Sequence, residues 1–197
     1  MKHPANGIQR PLGVYSGTRA VGIQNYTEAN VKLGRQFLFF HEIDIASGET
    51  KYISITTPTL TDDQAVIVKS RMLTSDGGFR YTPWRGATFT KGAPIITSVN
   101  LNDRAPNADQ MQYFEVTGTP DTSTATKLDA VRSAEGVGNN RQLGIFDAEG
   151  TERHLRKGED YLLQFDNTDN KAIFVIIALS HYEGFVDFAF DKDAGIY

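Results

Sequence analysis

Short runs of alternating apolar and polar residues, separated by glycine- and asparagine-containing turns, constrain the fold of this chain most. Phe37 to Ile45 ends in strict alternation, and Tyr52 to Thr56 alternates again after the turn Ala46 to Glu49. Alternation with a period of two is typical of a strand with one buried face. We interpret these two runs as a β-hairpin, which ends at Pro58 because proline cannot donate to a neighbouring strand.

The same pattern predicts further strands along the chain, separated by turns rich in Gly, Asp and Asn. The last of them is nearly continuous in apolar residues, which predicts a central strand buried on both faces. The predicted strands are Ala65 to Leu73, Phe79 to Tyr81, Ala87 to Thr90, Ile95 to Leu101, Gln112 to Thr117, Leu143 to Phe146, Tyr161 to Phe165 and Ile173 to Ser180.

Helical patterning is almost absent. The one weak window, Thr124 to Ala134, offers only Leu128 and Val131 at helical spacing, too few to bury a helix. A parallel α/β fold would need long amphipathic helices between its strands. We therefore predict an all-β fold, an antiparallel β-sandwich or jelly roll.

The chain has 197 residues and a mass of 21.8 kDa, which suits one domain with extensions. Residues 1–34 are rich in Gly, Asn, Gln and Arg and have scattered apolar residues, so we expect an extended N-terminal arm. Residues 35–190 form the predicted sandwich, with a loop insertion at about 118–142, and residues 191–197 form a C-terminal tail.

Composition excludes several classes of protein. The formal charge is −4, from 20 Lys plus Arg against 24 Asp plus Glu, so we expect no nucleic-acid partner and no anionic membrane partner. The chain has no cysteine, which excludes disulfides and thiolate metal sites. It shows neither a membrane-length apolar run nor a secretory signal, so we expect synthesis in the cytoplasm.

Two of the four histidines are closely followed by a carboxylate in the sequence and are candidate metal ligands. The metal site of small jelly rolls needs a His-x-His pair, whereas His41-Glu42 and His181-Tyr182-Glu183 each offer one histidine and one carboxylate. A zinc or iron site assembled from separate strands remains open. We predict no metal site, and we expect His41 and His181 to be half-buried strand residues bonded to the backbone.

Other catalytic patterns are equally weak. The acidic pairs Glu42 with Asp44 and Asp187 with Asp191 could perform glycoside hydrolysis, but alternating acids are more typical of the solvated side of a strand. The chain has no Gly-x-Ser-x-Gly motif and no complete phosphate or calcium loop. We therefore predict no catalytic residue, no cofactor and no enzymatic activity.

The C-terminal third carries a likeness to known proteins. Residues His154 to Asn167 contain Leu-x-x-Gly-x-x-Tyr before an asparagine turn, and they precede the apolar run Ala172 to Ser180 and the segment His181 to Gly184. This order resembles the end of a group of tailed-bacteriophage virion proteins. In that group a strand of this kind is followed by the turn and then by a buried strand. The buried strand ends at an aromatic residue next to a glutamate.

The middle and beginning of the chain resemble the same group. The segment Trp84 to Pro94 matches the part of the group's pattern in which a glycine precedes a proline. The segment Ser98 to Arg104 matches the strand that follows, which ends in a turn containing asparagine and arginine. Phe39 to Asp44, followed by Tyr52-Ile53, matches the opening hairpin. The resemblance covers about residues 35–185.

Within this group, the chain resembles the jelly-roll decoration (cement) proteins that clamp capsid subunits on the outside of an icosahedral head. The resemblance implies a non-enzymatic protein of the capsid exterior that stabilises the capsid by binding the major capsid protein. We also expect self-association, as a homotrimer. The alternative is a carbohydrate- or receptor-binding β-sandwich module of a phage fibre or tail, with Trp84 beside Tyr81 as its aromatic platform.

An interface needs apolar or basic residues that the protein does not bury itself. In the arm, isolated apolar residues need a neighbour to cover them, and in the domain one tryptophan and one turn arginine are the best candidates. The predicted interface residues are Val14, Tyr15, Ile23, Tyr26, Trp84 and Arg104.

Overall fold

The computed structural model describes residues 13–14, 21–22, 31, 33–60, 64–133, 141–143 and 153–185, and these residues form fifteen strands. The strands are β1 (Gly13–Val14), β2 (Val21–Gly22), β3 (Gln36–Ile45), β4 (Thr50–Thr56), β5 (Gln64–Ser75), β6 (Phe79–Arg85), β7 (Thr88–Pro94), β8 (Ser98–Asn100), β9 (Gln112–Asp121), β10 (Thr126–Lys127), β11 (Val131–Arg132), β12 (Arg141–Leu143), β13 (Arg153–Leu155), β14 (Asp160–Asn167) and β15 (Ile173–Phe185).

The long strands form two antiparallel sheets packed face to face. One, which we call the β14 sheet, has the order β10-β6-β14-β4-β9-β7, with β11 also paired to β6. The other, the β15 sheet, has the order β12-β5-β15-β3-β8, with β13 also paired to β5. Strands β1 and β2 pair separately. The predicted all-β sandwich is confirmed.

The strands are wound as a jelly roll. Strands β3, β4, β5 and β6 alternate between the two sheets, and so do β14 and β15. In each sheet the late strand lies between two early ones, since β14 separates β4 from β6 and β15 separates β3 from β5. This interleaving is the double Greek-key arrangement of a jelly roll.

The predicted hairpin of β3 and β4 is wrong, because these strands lie in different sheets. Strand β3 pairs with β15 and β8, and β4 pairs with β14 and β9. The turn at residues 46–49 therefore crosses between the sheets. Each strand has one apolar face, and the crossing packs the two faces against each other across the core.

Asn167 fastens this crossing to the one between β14 and β15. The two N–H groups of its Nδ2 are shared among three carbonyls, those of Ile45 (3.0 Å), Ala46 (2.9 Å) and Lys171 (2.8 Å), and its Oδ1 accepts from the amide of Asp169 (2.8 Å). The side chain is buried. One amide thus ties together the two connections at this end of the sandwich.

Burial along β15 corrects the prediction for this strand. Ile173, Val175, Ile177 and Leu179 are buried in the core, whereas the alternate residues, from Phe174 to Ser180, are only half-buried. The strand is central, as predicted, but its outer face is not fully covered. An apolar run therefore marked a central strand without indicating how much protein lies over each face.

The stretch predicted as a loop insertion, residues 118–142, is partly strand where the structure describes it. Strand β9 continues to Asp121, and β10 and β11 pair with β6. No helix forms over residues 124–133, in line with the sparse apolar spacing there. Most of the predicted arm, residues 134–140 of the insertion and the whole predicted tail lie outside the described residues.

A search for a helix of membrane-spanning length and hydrophobicity finds none in the described part of the chain.

A close aromatic contact in the described core joins the two sheets. Phe39 of β3 stacks on Tyr113 of β9 with 3.7 Å between ring centroids and 4° between ring planes. Both side chains are buried. We predict that Phe39→Ala lowers the free energy of unfolding by about 3–5 kcal/mol, because it leaves a cavity between the sheets.

Urea unfolding of the variant would measure this loss. Phe40→Ala is the matched control, because Phe40 is the next residue of the same strand and faces outward. It should change the unfolding free energy by about 1 kcal/mol or less. Equal losses in the two variants would contradict the assignment of the inner face.

Candidate functional site

The inner face of β15 becomes polar towards its end. His181 and Glu183 follow Leu179 on the same side of the strand, and both are buried. Asp109 reaches them from the segment between β8 and β9, and its side chain is also buried. We call these three residues the polar cluster. Their potential ligand atoms all lie within 4.8 Å of one another.

Asp109 is the centre of the cluster. Its Oδ1 accepts the amide of Met111 (3.0 Å) and lies 3.1 Å from Nε2 of His181. The hydroxyl of Ser98 donates to its Oδ2. Burial alone would raise the pKa of Asp109, but the hydrogen bond and the charge of His181, with the bonds from Ser98 and Met111, outweigh burial and lower it.

Glu183 lies beside this carboxylate. Its Oε1 accepts the backbone amides of Gln110 (3.1 Å) and Met111 (2.9 Å). Burial and the negative charge of Asp109 raise the pKa of Glu183 to about 8, despite those two amides. Burial and the neighbouring carboxylate therefore favour the protonated form of Glu183, and its hydrogen bond with Asp109 favours the same form.

The second ring nitrogen of His181 faces a tyrosine. Nδ1 of His181 lies 3.4 Å from the hydroxyl of Tyr113. Burial raises the pKa of Tyr113 well above its usual value, with the charges of Asp109 and Glu183 adding to the effect. Tyr113 is therefore neutral, and its O–H can donate to Nδ1 when Nε2 carries the proton that binds Asp109.

The chemistry open to the cluster is limited. One histidine and two carboxylates are a plausible ligand set for a divalent cation. However, the carboxylates already accept backbone amides, and the imidazole already binds Asp109 and Tyr113. The arrangement acts as a hydrogen-bond network that fastens the segment 101–111 to β15.

The environment of His181 differs from the one that the sequence predicted. His181 is completely buried and bonded to side chains, not half-buried and bonded to the backbone. The spacing His181-x-Glu183 does put both residues on one strand face. Asp109, the third member, lies in a segment without periodic pattern, so no spacing pointed to it.

The other residues considered for catalysis lie apart from the cluster. Glu42 and Asp44 are exposed on the outer face of β3, which agrees with the solvated side expected for them. His41 is half-buried, and burial lowers its pKa more than Glu115 and Glu42 raise it. Asp187 and Asp191 lie outside the described residues.

A second feature of this region is an apolar surface. On the outer face of the β15 sheet, Phe40, Val99 and Leu101 are 47%, 43% and 39% exposed. Val99 of β8 pairs with the half-buried Leu38 of β3, and the amide of Leu101 donates to the carbonyl of Gln36. We call Leu38, Phe40, Val99 and Leu101 the apolar edge patch.

The described part of the chain contains three of the six predicted interface residues. Trp84 is half-buried, and its Nε1 donates to Oε1 of Gln164 at 2.8 Å. Arg104 is exposed in the turn after β8. Val14 lies in β1, paired with Val21. The other three predicted residues, Tyr15, Ile23 and Tyr26, lie outside the described residues.

The aromatic platform expected for sugar binding does not form. Tyr81 is buried and faces the core, whereas Trp84 lies against Gln164. Residues three apart in a strand point to opposite faces. The two rings therefore cannot present one surface to a glycan.

Comparison with known proteins adds no family. A scan against protein-family models finds no match, and no curated protein matches the sequence.

The raised pKa of Glu183 makes stability depend on pH. Between its usual value of 4.5 and about 8, the folded state holds a proton that the unfolded chain has lost. Stability from this group is complete below the lower value and is lost as pH rises through the upper one. Glu183→Gln mimics the protonated form at every pH. We predict that its unfolding free energy, relative to that of the natural protein, increases by roughly 2–4 kcal/mol as the pH rises from 5 to 8.5.

Urea unfolding at several pH values would measure that difference. The exposed Glu42→Gln is the control and should run parallel to the natural protein. A constant difference between Glu183→Gln and the natural protein would contradict the protonated carboxyl. An increase in stability with zinc or manganese, absent in Glu183→Gln, would show the cluster to be a metal site instead.

Proposed function

We propose that this protein is a non-enzymatic structural protein of a tailed-phage virion, which decorates the capsid and stabilises it by binding the major capsid protein. The observation that carries the proposal is the apolar edge patch, three side chains of which are about 40% exposed or more. The sequence resemblance to decoration proteins supplies the identity of the partner.

The patch differs from the edge of the other sheet that lies on the same side of the sandwich. The edge strand β7 of the β14 sheet carries an exposed lysine and proline, Lys91 and Pro94, which discourage pairing with another chain. The edge strand β8 of the β15 sheet instead exposes Val99, and Ile96 just before it is 88% exposed. Clustered exposed apolar residues mark surfaces that bind proteins.

The role requires area and shape, not chemistry. A protein that binds only the expanded capsid lattice stabilises it by mass action, and an acidic protein does so without competing for packaged DNA. The polar cluster fits this view, because its side chains are committed to each other and to the backbone. The carbohydrate-binding alternative loses one of its two arguments, since Trp84 and Tyr81 do not share a surface, and keeps the segment at about 118–142 as the other.

We predict that the purified protein co-sediments in fixed stoichiometry with expanded, undecorated heads of the phage that encodes it. The double variant Phe40→Ser, Val99→Ser should bind at least about tenfold more weakly, because it removes apolar contact area from the centre of the patch. Lys127→Ser, an exposed change on β10 in the other sheet, should bind normally.

Melting curves of both variants separate lost binding from lost folding. Natural protein that stays in the supernatant at micromolar concentration would exclude the proposed function. Normal binding by the double variant would exclude the patch as the contact surface.

We also predict that the arm contributes to attachment or to the homotrimer but not to the folded core. Deletion should stop at residue 30, because Gly34 accepts the side-chain amide of Asn100 at 2.9 Å and its backbone packs against Ala105. The shortened protein should melt cooperatively, since strands from β3 onward form the core.

Sedimentation of the shortened protein, alone and with heads, tests this prediction. A smaller oligomer or weaker binding is expected. An unfolded product would show that the arm is an integral part of the sandwich, and unchanged assembly and binding would show that it is dispensable.

A further inference from the structure

A cavity of about 360 Å³ lies between the two sheets, at the side where β5 and β6 face each other. Its walls are mainly apolar, with Ile55, Leu163 and Leu179 from the sheets and Leu128 from the segment before β11. Cavities of about 300–1,000 Å³ with a few placed polar groups are typical of small-molecule sites.

A β-bulge turns a charged side chain into this cavity. The pairing of β5 with β15 shifts at Ser180/His181, where Ser180 faces Ser70 but His181 faces Val68. Lys69 is therefore an extra residue in β5. Because of it, both Val68 and Arg71 point inward, where simple alternation would place them on opposite faces.

Arg71 contacts a carboxylate and an aromatic ring. Its Nη1 lies 3.1 Å from Oδ2 of Asp129, and its guanidinium lies 4.7 Å from the ring centroid of Tyr81. Arg153 of β13 approaches the same carboxylate, with Nη2 3.3 Å from Oδ2 of Asp129. Two guanidinium groups therefore converge on one carboxylate at the cavity wall.

Positive charge dominates this wall. Among the described side chains that line the cavity, Lys69, Arg71 and Arg153 are cationic and only Asp129 is anionic. Burial raises the pKa of Tyr81 to about 12, so its hydroxyl stays neutral beside them. The side chain of Arg71 is 15% exposed and that of Arg153 is 41% exposed, so this wall leads from the interior to solvent.

We propose that the cavity binds a small amphipathic carboxylate, with its apolar body between the sheets and its carboxylate on Arg71 and Arg153. Arginine pairs with carboxylates through two parallel hydrogen bonds, and it does so most strongly where water is partly excluded. An apolar wall with a cationic end discriminates against neutral and cationic ligands of the same shape. The site is separate from the apolar edge patch and does not depend on the proposed capsid role.

Calorimetric titration of the full chain tests the proposal with three carboxylates of different shape: 4-phenylbutyrate, octanoate and 2-naphthoate. We expect at least one of them to bind, and to bind about tenfold more tightly than its neutral amide. Arg153→Gln should weaken that binding about fivefold or more. Leu128→Trp should abolish it by filling the cavity.

Arg156→Gln is the matched control, because Arg156 is three residues further along the chain, is 63% exposed and does not line the cavity. It should leave the affinity unchanged within about twofold. Melting curves establish that each variant is folded. The proposal is overturned if no carboxylate binds at about 5 mM, if an amide binds as tightly as its acid, or if Arg156→Gln loses as much affinity as Arg153→Gln.

Discussion

The buried amide of Asn167 holds the end of the sandwich on which the winding of the strands depends. Its Nδ2 reaches carbonyls on both connections, at Ile45 and Ala46 on one side and at Lys171 on the other. Both connections cross between sheets, and β14 and β15 are the central strands of those sheets. The position of this one side chain therefore couples the two sheets, and with them the alignment of every strand paired to β14 and β15.

The polar cluster and the apolar edge patch belong to one structure. Ser98 and Val99 are neighbours in β8, and the hydroxyl of Ser98 donates inward to Asp109 while Val99 is exposed on the outer face. Asn100 follows, and its side chain donates to the carbonyls of Gly34 and Pro106. A three-residue edge strand is weakly held by its own ladder. Buried polar bonds make it rigid, so an apolar surface is presented at a fixed position without collapsing into the core.

The sequence predicted the strands better than their partners. Alternation located β3, β4 and β14, because each has one face in the core and one towards solvent. It could not distinguish a hairpin from a crossing, since both use a short glycine turn. It also missed the inward Arg71, because one extra residue in β5 reverses the order of faces. Asp109 was missed because its position is set by hydrogen bonds from a loop and not by a repeating pattern.

The place of β15 in its sheet has a consequence for folding during synthesis. Ile45 of β3 pairs with Ile173 of β15, the central strand of the sheet. More than a hundred residues must therefore be synthesised after β3 before this partner strand exists. Until then, β3 and β5 have no strand between them to pair with. Their apolar side chains can still contact other chains. Contacts this distant in sequence form slowly. The apolar faces of the early strands therefore become fully paired only after β15 has left the ribosome, which is the period in which a nascent chain is most open to aggregation.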